Sequence, residues 1–339
     1  PKRTLVVSCL LIGITGSLRA FSSDFATLAG TVFMAGLLGP IIPVALHKSC
    51  GVWFTRRHLG VANGFVAAGM ASGFMLGAMV SATLLSPLLG GWRQVMIFYG
   101  VVAVMMSVPW ALSRAAPTGS ENAAGAGNTA PMRQTLSHVI RLKNVWILGL
   151  ALLGIGGGIQ GMLGYLPLYL REIGWPAASA DGALATFHAM SLISVFPIAL
   201  LSDRLGSRKR FLMIAALMVG AGIGSLAFVV GPLVWAAVML AGVVRDGFMA
   251  IYMTLLTELD GVGALYFGTA MGLSLTLSRA GGLVAPPIGN SLATININLP
   301  FLFWAGMSFL GWVCLYFVKE GKPQEMEGSY EPVVTGELA

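Results

Sequence analysis

Ten stretches of apolar sequence, each close to the length needed to cross a bilayer, dominate this chain of 339 residues. A spanning helix needs about 20 mostly apolar residues. The candidate spans are 4–20, 25–46, 61–85, 94–112, 145–170, 181–201, 211–230, 233–256, 265–291 and 299–318. Inside lipid every backbone N–H and C=O group must be bonded within the protein, so such runs should be helices. The sequence predicts an all-α polytopic membrane protein.

The composition excludes an ordinary soluble domain. Hydrophobic residues make up 56% of the chain, charged residues only 10%, and the mean hydropathy is +0.83. Charged residues are about a quarter of a typical soluble domain. The net charge of +7 does not indicate nucleic-acid binding, because the cations lie in short loops beside apolar spans, where they set topology. We therefore expect the lipid bilayer as a partner, and no nucleic acid.

No cofactor or metal site is predicted, and no enzymatic activity. Cys9, Cys50 and Cys314 lie in or beside apolar segments without paired spacing, and the four histidines form no HExxH pattern. The chain lacks a GxxxxGK(S/T) loop, so ATP-driven pumping is not expected. An integral-membrane enzyme is the alternative from another class, but the few carboxylates lie mostly in loops or in the tail.

The positions of the cations predict the topology. Segment 201–210 lies between two apolar runs, and its four cations indicate a cytoplasmic loop. Alternation of the spans then places most other Lys and Arg residues inside, while the outside turns hold only Arg19, Arg93 and Arg171. The sequence predicts a multi-pass protein of the cell membrane, with its central linker and its C-terminus in the cytoplasm.

The chain divides into two halves that repeat each other. Residues 60–64 read Gly-Val-Ala-Asn-Gly, and residues 268–272 read Gly-Thr-Ala-Met-Gly, each near the start of a span. Such a repeat is typical of transporters built from two related bundles. The predicted domains are an N-terminal bundle (1–112), a cytoplasmic linker (113–144), a C-terminal bundle (145–318) and a disordered tail (319–339).

The charged loop resembles the loop signature of the major facilitator superfamily of transporters. The matching residues are Asp203-Arg204-Leu205-Gly206, followed by Arg208-Lys209-Arg210. In that family the signature lies between helices two and three and again between helices eight and nine, and residues 1–6 look like the tail of another copy. The resemblance implies two pseudo-symmetric six-helix bundles. Ten spans then imply ten of twelve helices, with the first two missing.

Two other segments are similar to family members that carry small organic anions. Residues 53–64, with Trp-Phe, Arg-Arg and a Gly-rich opening, resemble the turn between helices four and five. Residues 90–93, Gly-Gly-Trp-Arg, resemble the turn before helix six. The resemblance is to bacterial organic-anion or cyanate-type members. It implies a secondary active transporter of the cell inner membrane that works by alternating access, and we expect a monomer.

Arg245 and Asp246 lie near the centre of the span 233–256. An ionised side chain there costs roughly 2.5–3.5 kcal/mol on insertion scales, so it needs a partner or a watery cavity. Our hypothesis is that Arg245 binds an anionic substrate while Asp246 balances or relays charge. The alternatives are an Arg–Asp pair between helices, or Asp246 capping a kink at Gly247.

Three more polar residues lie within spans of the second half. Arg279 could bind a carboxylate together with Arg245, since the guanidinium fork matches that geometry; alternatively it closes a gate or bonds carbonyls at a Pro286–Pro287 break. Gln160, in a Gly-rich stretch, could bond substrate or only allow close packing. His188 could couple transport to protons or be hydrogen-bonded in place.

The loop signature also predicts a gate. Asp203 could accept from a neighbouring helix N-terminus, with Gly206 completing the motif, while Arg204, Arg208 and Lys209 pair across the cytoplasmic gap between the halves. The alternative is that the loop only sets the topology, a role that needs its cations but neither Asp203 nor Gly206.

The function predicted is proton-coupled symport of a small organic anion, with that anion and protons as the small-molecule partners. The alternative within transport is efflux of drugs or metabolites by proton antiport. The family's antiporter signature has a Gly-Pro pair in the helix over 61–85. That pair is missing here, and Gly69, Gly73 and Gly77 are instead spaced for close helix packing.

Overall fold

The computed structural model describes residues 2–54, 56–113, 132–205 and 207–318, and within these ranges the backbone is helical with short turns and no strand. The prediction of an all-α polytopic fold is confirmed. Helices of residues 2–113 are called the N-terminal set, and those of residues 132–318 the C-terminal set. The predicted tail and most of the predicted linker lie outside the described residues.

The N-terminal set begins with a helix that runs directly from the second residue. Asp24 caps the next helix, because its carboxylate accepts from the Thr27 backbone N–H over 2.7 Å. A π-helical segment, Ser81–Leu85, follows the fourth helix. The helices are α1 (Lys2–Leu18), α2 (Phe25–Leu38), α3 (Ile41–Trp53), α4 (Arg56–Val80), α5 (Ser86–Leu89), α6 (Trp92–Met105) and α7 (Ser107–Leu112).

The C-terminal set begins with a short helix inside the predicted linker. Two of its later helices, of 11 and 14 residues, together fill one predicted span. The helices are α8 (Met132–Ile140), α9 (Lys143–Glu172), α10 (Ala177–Leu205), α11 (Arg208–Ser225), α12 (Leu233–Val243), α13 (Arg245–Glu258), α14 (Gly263–Leu292) and α15 (Leu299–Phe317).

Each of the ten predicted spans falls largely on helical structure. Seven helical runs among the described residues are long and apolar enough to cross a membrane by length and composition. The other three spans fall on α10, α11 and α14, which have 29, 18 and 30 residues. Helix α11 ends at Ser225, about one turn before the predicted end of its span.

The largest buried core lies in the C-terminal set. It runs from Val139 to Val318, and Trp304, Tyr252 and Phe187 are its bulkiest fully buried side chains. Helix α9 packs against α14 and α15, and α10 packs against α12. The two sets meet where α4 runs along α10. That contact brings an N-terminal helix beside one of the helices that carry predicted site residues.

Polar contacts tie several helix ends together at one end of the C-terminal set. Arg208 Nε lies 2.8 Å from Glu258 Oε2, joining the start of α11 to the end of α13. Lys209 Nζ donates to the carbonyls of Tyr316 and Val318, at the end of α15. These helix ends all belong to segments that the topology prediction assigns to one membrane face.

Candidate functional site

The span that carries Arg245 and Asp246 is broken at its centre. Helix α12 ends at Val243, Val244 has φ −96° and ψ −9°, and α13 begins at Arg245. A new helix start leaves backbone N–H groups without partners inside the helix. Ser191 of α10 supplies a partner for one of these N–H groups, because its Oγ accepts from the Asp246 N–H over 3.2 Å. The break therefore precedes Arg245, whereas the kink considered from sequence was at Gly247.

Arg245 and Asp246 pair with each other. Arg245 Nη1 lies 3.2 Å from Asp246 Oδ1, and both side chains are about one-third exposed. The guanidinium also lies over the Phe187 ring, 5.9 Å from its centroid, in a cation–π arrangement. Asp246 occupies the first turn of α13, where the helix dipole favours an anion. The pair thus joins sequence neighbours within one helix, not two helices.

His188 lies at the contact between the two sets of helices. It is buried, with 6% of its surface exposed. Its ring stacks on Phe74 of α4 at 5.6 Å between centroids and meets Phe187 edge-on at 5.4 Å. Its Nδ1 atom is buried and has no hydrogen-bond partner among the described residues. The alternative that His188 is simply hydrogen-bonded in place is therefore not supported at Nδ1.

Close backbone packing sets the position of His188 relative to the helix break. A Cβ atom added to Gly242 would lie 2.6 Å from the Phe187 carbonyl oxygen, so α12 and α10 approach too closely for any side chain there. Phe187 immediately precedes His188 in α10, and Gly242 lies three residues before Arg245. We call His188, Ser191, Arg245 and Asp246 the break cluster.

Gln160 and Arg279 line a separate open cleft of about 300 Å³ between α9 and α14. Glycines leave space for the polar side chains at this cleft. A Cβ atom added to Gly282 would lie 3.5 Å from Gln160 Cγ, and one added to Gly156 would lie 2.7 Å from Ser278 Oγ. Both polar side chains are exposed to the cleft. Gln160 and Arg279 are called the cleft pair.

Arg279 has no carboxylate partner among the described residues, in contrast to Arg245. It also bonds no backbone carbonyl there. The break suggested by Pro286 and Pro287 is wrong, because α14 continues through both to Leu292. Nearby, Trp304 Nε1 donates to the Ala285 carbonyl over 3.0 Å. Within the described part of the chain, no carboxylate pairs with the positive charge of the cleft pair.

The five residues predicted to bind substrate fall into two groups. No hydrogen bond, ion pair or ring contact joins the cleft pair to His188, Arg245 or Asp246, all of which are described. Convergence of Arg245 and Arg279 on one ligand therefore stays a prediction. Sequence reasoning missed Ser191, which lies three residues after His188 and so on the same helix face. It also missed Phe74, for which the sequence carried no indication.

Two of the five predicted gate residues have described side chains. Arg208 and Lys209 make the contacts within the C-terminal set given above, with Glu258 and with the end of α15. Asp203 and Arg204 lie in the last turns of α10, but their side chains are outside the described part. Gly206 lies wholly outside it. Pairing across the gap between the halves stays a prediction.

A metal centre has no ready donor set in the described ranges. No group of three or more His, Cys, Asp or Glu side chains is close enough there to hold an ion. The candidate site consists of arginine, carboxylate, imidazole, amide and hydroxyl groups. Such groups can bind a polar solute and exchange protons.

Apolar helices long enough to span a bilayer define a polytopic helical membrane protein. The family model of the Major Facilitator Superfamily matches residues 1–263. The chain belongs to this superfamily.

Solved structures of the same family share the fold. The E. coli fucose:proton symporter FucP is 17% identical, with a TM-score of 0.59, over 94% of this chain and 84% of that chain. A second structure of FucP, in the outward conformation, gives a TM-score of 0.59 and 17% identity over 94% and 83%. No curated protein matches the sequence. At this identity the likeness establishes the fold and not the substrate.

Proposed function

We propose that this protein is a secondary active transporter that moves a small organic anion together with protons by alternating access. The observation that carries the proposal is Arg279, a cation in the middle of a helix, which faces an open cleft without a carboxylate partner among the described residues. An unpaired ionised side chain within a membrane is costly, and such residues generally mark substrate pathways.

An anionic substrate would supply the missing counter-charge. The planar guanidinium of Arg279 can donate two parallel hydrogen bonds to a carboxylate. The Gln160 amide, across the cleft, can both donate and accept, so it could bond a second polar group of the substrate. A cleft of about 300 Å³ is at the small end of ligand pockets, which favours a small organic anion.

The break cluster suits proton coupling better than permanent anion binding. The positive charge of Arg245 is already balanced by Asp246 at 3.2 Å. A proton on Asp246 would remove that balance and release the guanidinium for an anion. His188 lies beside this pair and can also accept a proton. We infer that proton binding here and anion binding at Arg279 are linked through the movement of α10, α13 and α14.

The gate and the topology belong to the same proposal. We infer that residues 1–112 and 145–318 act as two bundles that rock against each other along α4 and α10, with the central linker and C-terminus in the cytoplasm. The loop residues Asp203, Arg204, Gly206, Arg208 and Lys209 would hold the cytoplasmic side closed. The contact of Phe74 with His188 supports coupling of proton binding to this movement.

A neutral polar substrate is the second candidate. Gln160 and Ser278 supply uncharged hydrogen-bonding groups to the cleft. The fold neighbour FucP is named as a fucose:proton symporter, so a neutral sugar is the natural comparison substrate.

The test is uptake into vesicles that contain the purified protein, with a panel of labelled mono- and dicarboxylates and labelled fucose, with and without an inward proton gradient. We expect gradient-dependent uptake of at least one anion. Arg279→Gln should lower it about 10- to 100-fold, the loss of a charge-assisted bond, whereas Arg279→Lys should retain part. Asp246→Asn should make uptake insensitive to the gradient.

The control variant is Lys143→Gln, which removes an exposed cation at the start of α9, away from both groups and from the loop signature. It should transport like the wild type. Uptake of fucose but of no anion would favour the neutral substrate. Anion uptake unchanged in Arg279→Gln would refute the role of the cleft pair. Export of cationic or neutral drugs against a proton gradient would favour the efflux alternative.

A further inference from the structure

Helix α8 is a short amphipathic helix docked on the C-terminal set. Val139 is completely buried, and Thr135 is nearly so. His138 Nε2 lies 2.8 Å from the Gly261 carbonyl oxygen, and its ring stacks on Tyr266 at 4.2 Å between centroids. Gly261 lies in the turn between α13 and α14. One face of α8 is therefore held against the helix ends at one end of the C-terminal set.

A second face of α8 exposes large apolar side chains. Leu136 and Ile140 are 44% and 46% exposed, and a spacing of four residues puts them on the same side of the helix. The Trp146 Nε1 atom donates to the Ile140 carbonyl over 2.8 Å, which ties this end of α8 to the first turn of the spanning helix α9. Trp is enriched where spanning helices leave the membrane. Leu136 and Ile140 thus lie beside Trp146, at the end of the spanning helix α9.

The third face is polar and basic. Arg133, Gln134, Ser137 and Arg141, with His138, line a cleft of about 510 Å³. Neither arginine has a carboxylate partner among the described residues. Lys143 follows directly, and the sequence contains no Asp or Glu between residues 122 and 171. The cleft therefore has a net positive charge that this segment does not balance.

We propose that α8 is a binding site for a phospholipid with an anionic headgroup. Arg133 and Arg141 bind the lipid phosphate, and Leu136 and Ile140 contact its acyl chains. A helix with an exposed apolar strip beside Arg residues is the pattern of helices that lie in the membrane interface. Cations at this depth attract anionic lipids, and arginine matches a phosphate with two parallel bonds. The site does not depend on what the protein transports.

Lipid binding to the purified full chain in detergent tests this proposal. Native mass spectrometry would measure the affinity for phosphatidylglycerol and, as a zwitterionic control, for phosphatidylcholine. Each cation at the membrane surface contributes about a fivefold preference, so Arg133→Gln/Arg141→Gln should weaken phosphatidylglycerol binding roughly 30-fold. Arg133→Lys/Arg141→Lys should keep most of it. Leu136→Ser/Ile140→Ser should weaken binding of both lipids.

The side chains changed are exposed, so the variants should fold, and their thermal unfolding midpoints would verify this. Inorganic phosphate added in large excess should not displace the lipid, because it lacks acyl chains. Displacement by phosphate alone would mean that α8 binds free anions and would overturn the lipid proposal. Equal phosphatidylglycerol affinity in wild type and the Gln double variant would also overturn it.

Discussion

The two sets of helices differ in how much of their apolar surface they bury in the protein. In the C-terminal set, 56% of the spanning window within Lys143–Glu172 and 50% of that within Leu233–Glu258 are buried. In the N-terminal set the share is 6% for both Phe25–Cys50 and Gly64–Leu89. All four runs are similarly apolar. Hydrophobicity therefore determines that a helix is in the membrane, whereas close packing depends on which small residues face a neighbour.

Glycines show this difference most directly. In α9 a Cβ atom on Gly158 would lie 2.6 Å from the Trp304 carbonyl oxygen, so α9 and α15 are in near backbone contact. In α4 the predicted packing glycines Gly69, Gly73 and Gly77 have no described atom within 4 Å of an added Cβ atom. Glycine thus lies at a close helix contact in α9 and on an open face in α4.

The largest expected effect tests the close packing of the C-terminal set. Gly158→Ala would force the backbones of α9 and α15 apart, which should lower the free energy of unfolding by about 3 kcal/mol, the upper range for overpacking. Gly164→Ala, in the same helix, is the matched control, because a Cβ atom added there has no described atom within 4 Å. It should change the free energy of unfolding little. Denaturant titration in detergent measures both. Equal stability of the two variants would contradict the packing difference.

A smaller effect is expected at the contact between α1 and α6 in the N-terminal set. A Cβ atom on Gly100 would lie 2.6 Å from the Gly13 carbonyl oxygen. Gly100→Ala should destabilise by about 2 kcal/mol, less than Gly158→Ala because these helices have more freedom to separate at an exposed surface. Gly73→Ala in α4 should be neutral or slightly stabilising, since Ala is the better helix former. A destabilised Gly73→Ala would show that the open face of α4 has a partner in solution.

The smallest effect concerns the Arg208–Glu258 ion pair, whose side chains are 33% and 44% exposed. A double-mutant cycle with Arg208→Gln and Glu258→Gln should give a coupling energy of about 0.2–1 kcal/mol in the unfolding free energy. Added salt should reduce it further. A coupling well above this range would mean that this end of the C-terminal set is held mainly by charge.

Much of the fold was predictable because the bilayer leaves few choices. Ten apolar runs become helices since no other structure satisfies the backbone in lipid, apart from a closed barrel. The resemblance of the loop around Asp203 to a family signature also predicted the superfamily that the family model matches. The candidate site was predictable only as a set of residue types: Arg245, Arg279 and His188 stood out because polar groups are rare within spans.

Their arrangement was not predictable from the sequence. The helix break at Val244 involves no proline, and it lies beside the close approach of α12 to α10 and the hydroxyl of Ser191. The pairing of Phe74 with His188 joins residues more than a hundred positions apart. Local sequence contains no information about such contacts, because they depend on how whole helices pack.

The sequence by itself determined that this chain is helical, lies in a membrane and belongs to a transporter family, because hydrophobicity and a short charged motif act locally. Only the tertiary structure decided that Arg245 is balanced by Asp246 while Arg279 faces an open cleft without a described carboxylate partner. The physical reason is that the environment of a charge depends on its neighbours in space, which close packing of distant helices brings together.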